Sequence, residues 1–134
     1  MSVFTLDPRH EQDSIFIKDL TLSQLRLFNR SELLWLILIP RVANVTEFYE
    51  LSTTEQALLS QEITLVSNLL KNNFPCDKLN IATLGNVVPQ LHMHIIARRI
   101  DDPFWPKPVF GALTQPYSDA AATTLVEQWR ALLS

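Results

Sequence analysis

A run of seven apolar residues at positions 33–39 limits the folds open to this chain more than any other feature. The run is apolar on both faces, as in a central strand of a sheet, and Pro40 ends it. It is far too short to cross a bilayer. Two further strands are predicted before it, at residues 14–17 and 20–29, and the second alternates apolar and polar residues. Together the three segments predict an antiparallel meander.

Helical spacing replaces the strand pattern after this meander. Ser52 or Thr53 is the predicted N-cap, and apolar residues then recur at steps of three and four as far as Asn73. Strands are predicted at residues 79–84 and 91–97, and Ser118 is the predicted cap of a last helix. The proline-rich and aromatic-rich residues 101–117 predict an irregular but partly packed stretch, because large aromatic side chains need burial.

Length and composition predict one domain with an ordinary hydrophobic core. The chain has 134 residues, of which 47% are hydrophobic and 19% charged, a composition that argues against wholesale disorder. We expect one domain over residues 1–134, with a tail-like segment at residues 1–13. Residues 101–134 are expected to form a C-terminal extension that contains the last helix.

Charge and residue counts exclude several classes of function. A net charge of -3 argues against broad nucleic-acid binding, which needs clustered positive charge. Two glycines are too few for a phosphate-cradling loop of the P-loop or dinucleotide type. The single cysteine, Cys76, allows no intramolecular disulfide and fits a reducing compartment. Residues 2–12 are polar and mixed, without a signal segment, so we expect a cytoplasmic protein with no membrane partner.

The residues that carry chemistry lie in the last predicted strand and immediately before it. Alternate side chains of a strand share a face, so Gln90, His92 and His94 are expected to point one way and their apolar neighbours the other. Imidazole titrates near neutral pH, and two adjacent rings can act as nucleophile and proton donor. A ring whose Nδ1–H is held by a backbone carbonyl presents Nε2 as an attacking lone pair.

Two other interpretations of these histidines stay open on spacing alone. Histidines on an apolar strand are often packing residues without a chemical role. A His-x-His pair can also chelate zinc or iron, but such a site needs a third ligand. His10 belongs to the tail-like segment and is expected to be remote, and no acidic residue occurs between His94 and Asp101. We therefore expect neither a metal nor another cofactor.

Residues 85–96, Gly-Asn-Val-Val-Pro-Gln-Leu-His-Met-His-Ile-Ile, resemble the signature of the histidine triad (HIT) family. That signature is a His-φ-His-φ-His-φ-φ strand, in which φ is apolar, and Gly-Gln and Val-Pro often precede it. The order of meander, long helix and two further strands is also similar, so the resemblance covers about residues 15–99. It implies an α+β fold with a five-stranded antiparallel sheet, one long helix and a C-terminal helix, usually as a homodimer.

The resemblance also implies a role for each matching residue. His92 matches the nucleophile that forms a covalent nucleotidyl-imidazole intermediate, and His94 matches the last triad histidine, which contacts the phosphate and the leaving group. Asn86 stands where the family often has a phosphate-contacting Gln. Asn29 matches a position that holds ribose hydroxyls, although a turn-favouring Asn explains it equally well. Gln90 replaces the first triad histidine and cannot carry a proton as imidazolium does.

These matches imply a nucleotide hydrolase or transferase that cleaves at the α-phosphate. The implied partner is a purine nucleotide or nucleotide conjugate, with no specific binding of nucleic acid. Trp35 stands where many members have a further histidine, and from the residues alone we expect it in the core. The alternative function is a nucleotide-binding module with little or no catalytic activity, because Gln90 departs from the signature.

Overall fold

The computed structural model describes residues 2–134 of the chain. The helices are α1 (Pro8–Asp13), α2 (Thr53–Asn73) and α3 (Asp119–Leu132), and a short 3-10 turn spans Phe48–Glu50. The strands are β1 (Ser14–Asp19), β2 (Ser23–Phe28), β3 (Trp35–Pro40), β4 (Lys78–Ala82) and β5 (Met93–Arg98). None of the helices in this part of the chain is both long and apolar enough to span a membrane.

The strands form one antiparallel sheet in the order β1-β2-β3-β5-β4. The predicted α+β fold with a five-stranded antiparallel sheet is therefore confirmed. All six residues of β3 are buried, which explains why this segment is apolar on both faces. In the pairing of β3 with β5, Ile37 is opposite His94 and Trp35 is opposite Ile96. This register sets tryptophan and histidine on the same face of the sheet.

Helices α2 and α3 cover one face of the sheet. Ser52 caps α2 by accepting a hydrogen bond from the Glu55 backbone N–H, and the Glu55 carboxylate accepts one from the Ser52 backbone N–H. Apolar residues one turn apart then bury one stripe of the helix against the sheet. The core they form includes Leu25, Leu27, Leu36, Leu38, Val66, Leu70, Ile95, Val126 and Trp129. Truncating a fully buried leucine here to alanine is expected to cost about 2–5 kcal/mol.

Irregular segments cover the opposite face of the sheet, which carries the site. Val109 and Leu113, from the stretch after β5, pack on Trp35, Ile37 and Ile96. A buried ion pair anchors this stretch, because Arg98 Nε lies 2.8 Å from the Asp102 carboxylate. The expectation of an irregular but packed segment after β5 thus holds. Ser118 caps α3 as predicted.

The amino-terminal segment corrects the expectation of a tail. Asp7 caps α1 by accepting a hydrogen bond from the Arg9 backbone N–H, and Pro8 begins the helix. His10 on this helix is only 4% exposed. A helix of six residues is too short to show amphipathic spacing, and its sequence therefore looked like a polar tail.

The last strand also begins later than predicted. It starts at Met93, so Gln90 and His92 lie in the connection that enters the strand and only His94 lies within it. Strand β4 likewise ends at Ala82, before the predicted end at residue 84. Both differences lengthen the connection between β4 and β5, in which Gly85 has a φ of +78°.

Candidate active site

The two motif histidines line a cavity of about 310 Å³ on the face of the sheet that the irregular segments cover. The connection between β4 and β5 forms one wall, from Leu84 to Val88. Other lining residues are His10, Asp13, Ser14, Phe28, Ile37, His92, His94 and Phe110. The cavity therefore combines imidazole groups and a carboxyl group with an apolar wall, and its volume suits a small organic ligand.

His92 is held by the backbone of its own motif. Its Nδ1 lies 2.7 Å from the carbonyl oxygen of Gln90. A carbonyl only accepts hydrogen bonds, so Nδ1 carries the proton and the neutral ring has its lone pair on Nε2. This is the tautomer that a nucleophilic imidazole requires.

His94 is held in the opposite tautomer by Trp35. The indole Nε1–H donates to Nδ1 of His94 at 3.0 Å. An indole N–H is only a donor, so Nδ1 of His94 is the acceptor and the neutral ring carries its proton on Nε2. His94 can therefore donate a hydrogen bond through Nε2, whereas His92 can accept one through Nε2. Trp35 lies in the core, as predicted, and additionally determines the tautomer of His94.

His10 joins the two motif histidines, which corrects the expectation that it is remote. Its ring centroid lies 4.4 Å from that of His92 in an edge contact, and the centroids of His92 and His94 lie 4.7 Å apart. The three imidazoles thus form one continuous cluster. Within residues 2–134, however, no three or more His, Cys, Asp or Glu side chains are grouped so that they can hold a metal ion.

Burial keeps these imidazoles uncharged at neutral pH. Loss of solvent is the largest influence on the pKa of all three rings. It lowers the pKa of His92, and it lowers the pKa of His10 to about 4 and that of His94 to about 3. Repulsion from His92 further lowers the pKa of the other two rings. The carbonyl of Gln90 opposes this effect at His92 and at His10.

The side chain of Gln90 turns away from the cavity. Its Oε1 accepts a hydrogen bond from the Asp7 backbone N–H at 2.9 Å, and its Nε2 donates to the carbonyl of Thr5 at 2.8 Å. It is absent from the residues that line the cavity. The contribution of Gln90 to the site is its backbone carbonyl, which holds His92.

The two predicted substrate-binding residues are placed differently. Asn86 lines the cavity on the connection between β4 and β5. Asn29 does not line it, and its Oδ1 accepts a hydrogen bond from the Tyr117 backbone N–H at 3.0 Å. In this structure the Asn29 oxygen therefore connects the end of β2 to the segment before α3. Its role in ligand binding stays a prediction.

The sequence pattern did not assign site positions to several side chains that line the cavity, among them His10, Asp13, Phe28 and Phe110. His10 comes from α1, and the signal that could have indicated it was the Asp-Pro helix start just before it. Phe110, from the aromatic-rich stretch after β5, lies with its ring centroid 5.1 Å from that of His94. Asp13, at the end of α1, adds a carboxyl group to the cavity lining. No local pattern marks Phe110 or Asp13, because tertiary packing brings them to the cavity.

Fold and site together define an α+β protein in which two neutral histidines, held in opposite tautomers, line a cavity large enough for a small ligand. A family model, the HIT domain, matches residues 9–101, and the chain belongs to this family. Membership suggests a nucleotide-binding or a hydrolase or transferase function, and proteins with this domain are generally nucleotide hydrolases. No match was found among curated proteins.

Solved structures of histidine triad proteins are similar to the chain over nearly its whole length. A histidine triad (HIT) protein from Sinorhizobium meliloti 1021 is 44% identical, with 93% of each chain covered and a TM-score of 0.90. A histidine triad protein from Bradyrhizobium japonicum is also 44% identical, covering 98% of this chain and 96% of its own, with a TM-score of 0.88. A third from Marinobacter aquaeolei VT8 is 36% identical, with 98% and 97% covered and a TM-score of 0.95.

Proposed function

We propose that this protein is a nucleotide hydrolase or transferase that cleaves its substrate at the α-phosphate through a covalent nucleotidyl-His92 intermediate. The observation that carries the proposal is the 2.7 Å contact between Nδ1 of His92 and the Gln90 carbonyl. It leaves the lone pair on Nε2 of a buried, neutral ring that lines the cavity. Family membership supports the same class of chemistry.

In the first step, Nε2 of His92 attacks the α-phosphorus. The new P–N bond forms as the bond to the leaving group breaks, and the leaving group departs with its electron pair and takes a proton from solvent. His92 becomes a cation, and its Nδ1–H bond to the Gln90 carbonyl becomes charge-assisted, which is worth roughly 1.5–3 kcal/mol. This contact therefore stabilises the charge that develops during the reaction.

In the second step, water attacks the phosphorus, breaks the P–N bond and releases the mononucleotide, while the proton of the water passes to solvent. His92 returns to its neutral tautomer. The Nε2–H of His94 is suited to donate to a phosphoryl oxygen or to the leaving group in both steps. Both assignments rest on the tautomers that the Gln90 carbonyl and the Trp35 indole impose.

Substrate recognition is proposed to use the two sides of the cavity. Asn86 and the connection that carries it would contact the phosphate, as the family resemblance implies. Phe28 and Phe110 line the same cavity and provide an apolar surface for a purine ring. We also retain Asn29 as a ribose contact through its Nδ2, since among residues 2–134 only its Oδ1 has a hydrogen-bond partner.

Gln90 is proposed to occupy the position of the first triad histidine. Its side chain is committed to the amino-terminal segment and carries no titratable proton. This observation favours the second candidate, a nucleotide-binding protein with little or no turnover. The two candidates predict the same ligand and differ only in whether a covalent intermediate forms.

Mass spectrometry of the intact protein after mixing with adenosine phosphoramidate or a dinucleoside polyphosphate separates the candidates. We expect an adenylyl adduct on His92 and release of AMP, and both should vanish in His92→Ala. Binding of AMP without an adduct or turnover would support the second candidate. Turnover that is unchanged in His92→Ala would exclude the proposed nucleophile.

We further propose that the protein forms a homodimer. Ile81 on the edge strand β4 is 44% exposed and Leu84 just beyond it is 45% exposed, so apolar side chains lie near an unpaired strand edge. Sedimentation analysis should give twice the monomer mass. Substituting Ile81 with lysine should then shift the protein towards monomer.

A further inference from the structure

Gln90 binds the amino-terminal segment at two points on its backbone. The side-chain amide accepts from the Asp7 N–H and donates to the Thr5 carbonyl, as a neighbouring strand would do. Both bonds join residues more than 80 positions apart. The segment held in this way continues directly into α1, whose cap is Asp7. Gln90 thus fixes the point at which α1 begins.

Helix α1 then brings His10 to the reactive ring. The edge contact with His92 has a centroid separation of 4.4 Å, and His10 is 4% exposed. The hydroxyl of Ser14 donates to the His10 carbonyl, which fixes the backbone behind the ring. His10 has no charged side-chain partner among the described residues.

The imidazole of His10 has a buried nitrogen, Nε2, without a hydrogen-bond partner among residues 2–134, which a side chain that serves only for packing does not need. Such unsatisfied buried groups are rare in proteins and usually have a functional or structural reason. An apolar side chain of similar size would fill the same space without leaving a polar atom unpaired.

We infer that His10 is a positioning residue for His92, a third imidazole that α1 supplies to the site. This inference rests on the proposed function. The edge contact fixes the plane of the His92 ring, so that Nε2 stays directed at the cavity while Nδ1 stays on the Gln90 carbonyl. When His92 becomes a cation, the neutral His10 ring 4.4 Å away places no second positive charge beside it.

The groups around His10 keep it neutral for this role. Burial and His92 lower its pKa most, and Arg26 lowers it further. The Gln90 carbonyl and Asp7 act in the opposite direction without cancelling these effects. A charged His10 would repel the cationic intermediate, whereas a neutral ring does not.

Substitutions of His10 test the inference. His10→Leu removes the imidazole and retains most of the apolar volume, and His10→Gln replaces it with a side chain that still has polar atoms. Gln12→Ala, at an exposed position on the same helix, is the matched control. Turnover of adenosine phosphoramidate and the nitrogen shifts of the His92 ring in ¹⁵N NMR are measured in each, with thermal unfolding as a check of folding.

We expect His10→Leu to lower kcat by about 10- to 100-fold, with KM within about twofold of wild type. Its His92 ring nitrogens should move towards the values of a mixture of tautomers. His10→Gln should recover part of kcat, and Gln12→Ala should resemble wild type. Wild-type kcat and unchanged His92 nitrogen shifts in a folded His10→Leu would overturn the inference.

The two readouts separate failure of the inference from failure of the proposed function. If wild-type protein forms no adduct and has no turnover, the proposed function fails. The His92 nitrogen shifts of the ligand-free variants still test whether His10 positions the ring. If wild type is active and His10→Leu is indistinguishable from it by both measurements, only the inference fails.

Discussion

The indole of Trp35 donates a hydrogen bond to Nδ1 of His94 at 3.0 Å, from β3 to the neighbouring strand β5. Because the two residues lie 59 positions apart, the sheet register alone brings them together. Because this bond occupies the Nδ1 lone pair of His94, the proton of the neutral ring is on Nε2, and this N–H can donate a hydrogen bond to a ligand. His92, whose Nδ1 binds a carbonyl, has the complementary arrangement. Two chemically identical side chains thus become one acceptor and one donor.

Trp35→Phe tests the importance of this tautomer. The phenyl ring keeps most of the packing with Phe28 but cannot donate, so both tautomers of His94 become accessible. We expect kcat to fall between about twofold and tenfold, the value of one neutral hydrogen bond. ¹⁵N NMR should show that His94 is then a mixture of its two neutral tautomers, one protonated at Nδ1 and the other at Nε2. Trp105→Phe, a partly exposed tryptophan outside the cavity lining, is the control, and equal rates in both variants would contradict the prediction.

Acid is expected to destabilise the fold through its buried imidazoles. In the unfolded chain a histidine titrates near pH 6.5, whereas the pKa of His10 in the fold is lowered to about 4. As pH falls below 6.5 the unfolded chain binds the proton first, so the free energy of unfolding decreases until the folded pKa is reached. For His10 alone the loss between pH 7.5 and pH 5 is about 2 kcal/mol.

Urea unfolding at both pH values measures this effect. His10→Leu should lose about 2 kcal/mol less than wild type over the same interval, because it lacks one of the titrating groups. Gln12→Ala should retain the wild-type pH dependence. An identical pH dependence in His10→Leu and wild type would show that His10 is not held neutral. Asp102 does not interfere, since its pKa of about 2 places its own loss of stability below pH 4.

The buried ion pair between Arg98 and Asp102 is predicted to support the segment that carries Phe110. Asp102 accepts from two guanidinium nitrogens and from the backbone N–H groups of Arg99 and Phe104. Asp102→Asn leaves the Arg98 charge buried without a charged partner and should cost about 3–5 kcal/mol of unfolding free energy.

The neighbouring Asp101 offers a matched control for this substitution. Its side chain is 82% exposed and lies 3.6 Å from Arg99. Asp101→Asn should therefore change the free energy of unfolding by less than about 1 kcal/mol. Similar effects of the two substitutions in chemical denaturation would mean that the buried pair does not anchor this segment.

The amide of Gln90 is predicted to hold the amino-terminal segment in place. Gln90→Ala removes the bonds to Asp7 and Thr5 but keeps the backbone carbonyl that binds His92. Hydrogen exchange at the Asp7 amide should become faster by about 5- to 100-fold, which corresponds to roughly 1–3 kcal/mol. Exchange in β3, which the substitution does not contact, serves as the internal reference. Unchanged protection of Asp7 would contradict the role of this side chain.

The sequence by itself determined the regular elements and the residues at the centre of the site. Apolar runs and spacing predicted the meander, the long helix and the last strands, because burial on one or both faces leaves a local repeat in the chain. The Ser52 cap of α2 could also be predicted from the sequence, because its partner Glu55 lies only three residues away. The motif likewise brought His92 and His94 together without knowledge of the fold.

Only the tertiary structure decided how those histidines are oriented and what else joins them. The partner of His94 is a tryptophan on another strand, and the ring beside His92 comes from a helix too short to leave a periodic pattern. The Gln90 side chain accepts a hydrogen bond from Asp7, 83 positions away in the sequence, and the Asn29 oxygen accepts one from Tyr117, 88 positions away. Such contacts depend on the packing of the whole chain, because no local repeat encodes which distant groups a fold will bring within hydrogen-bond distance.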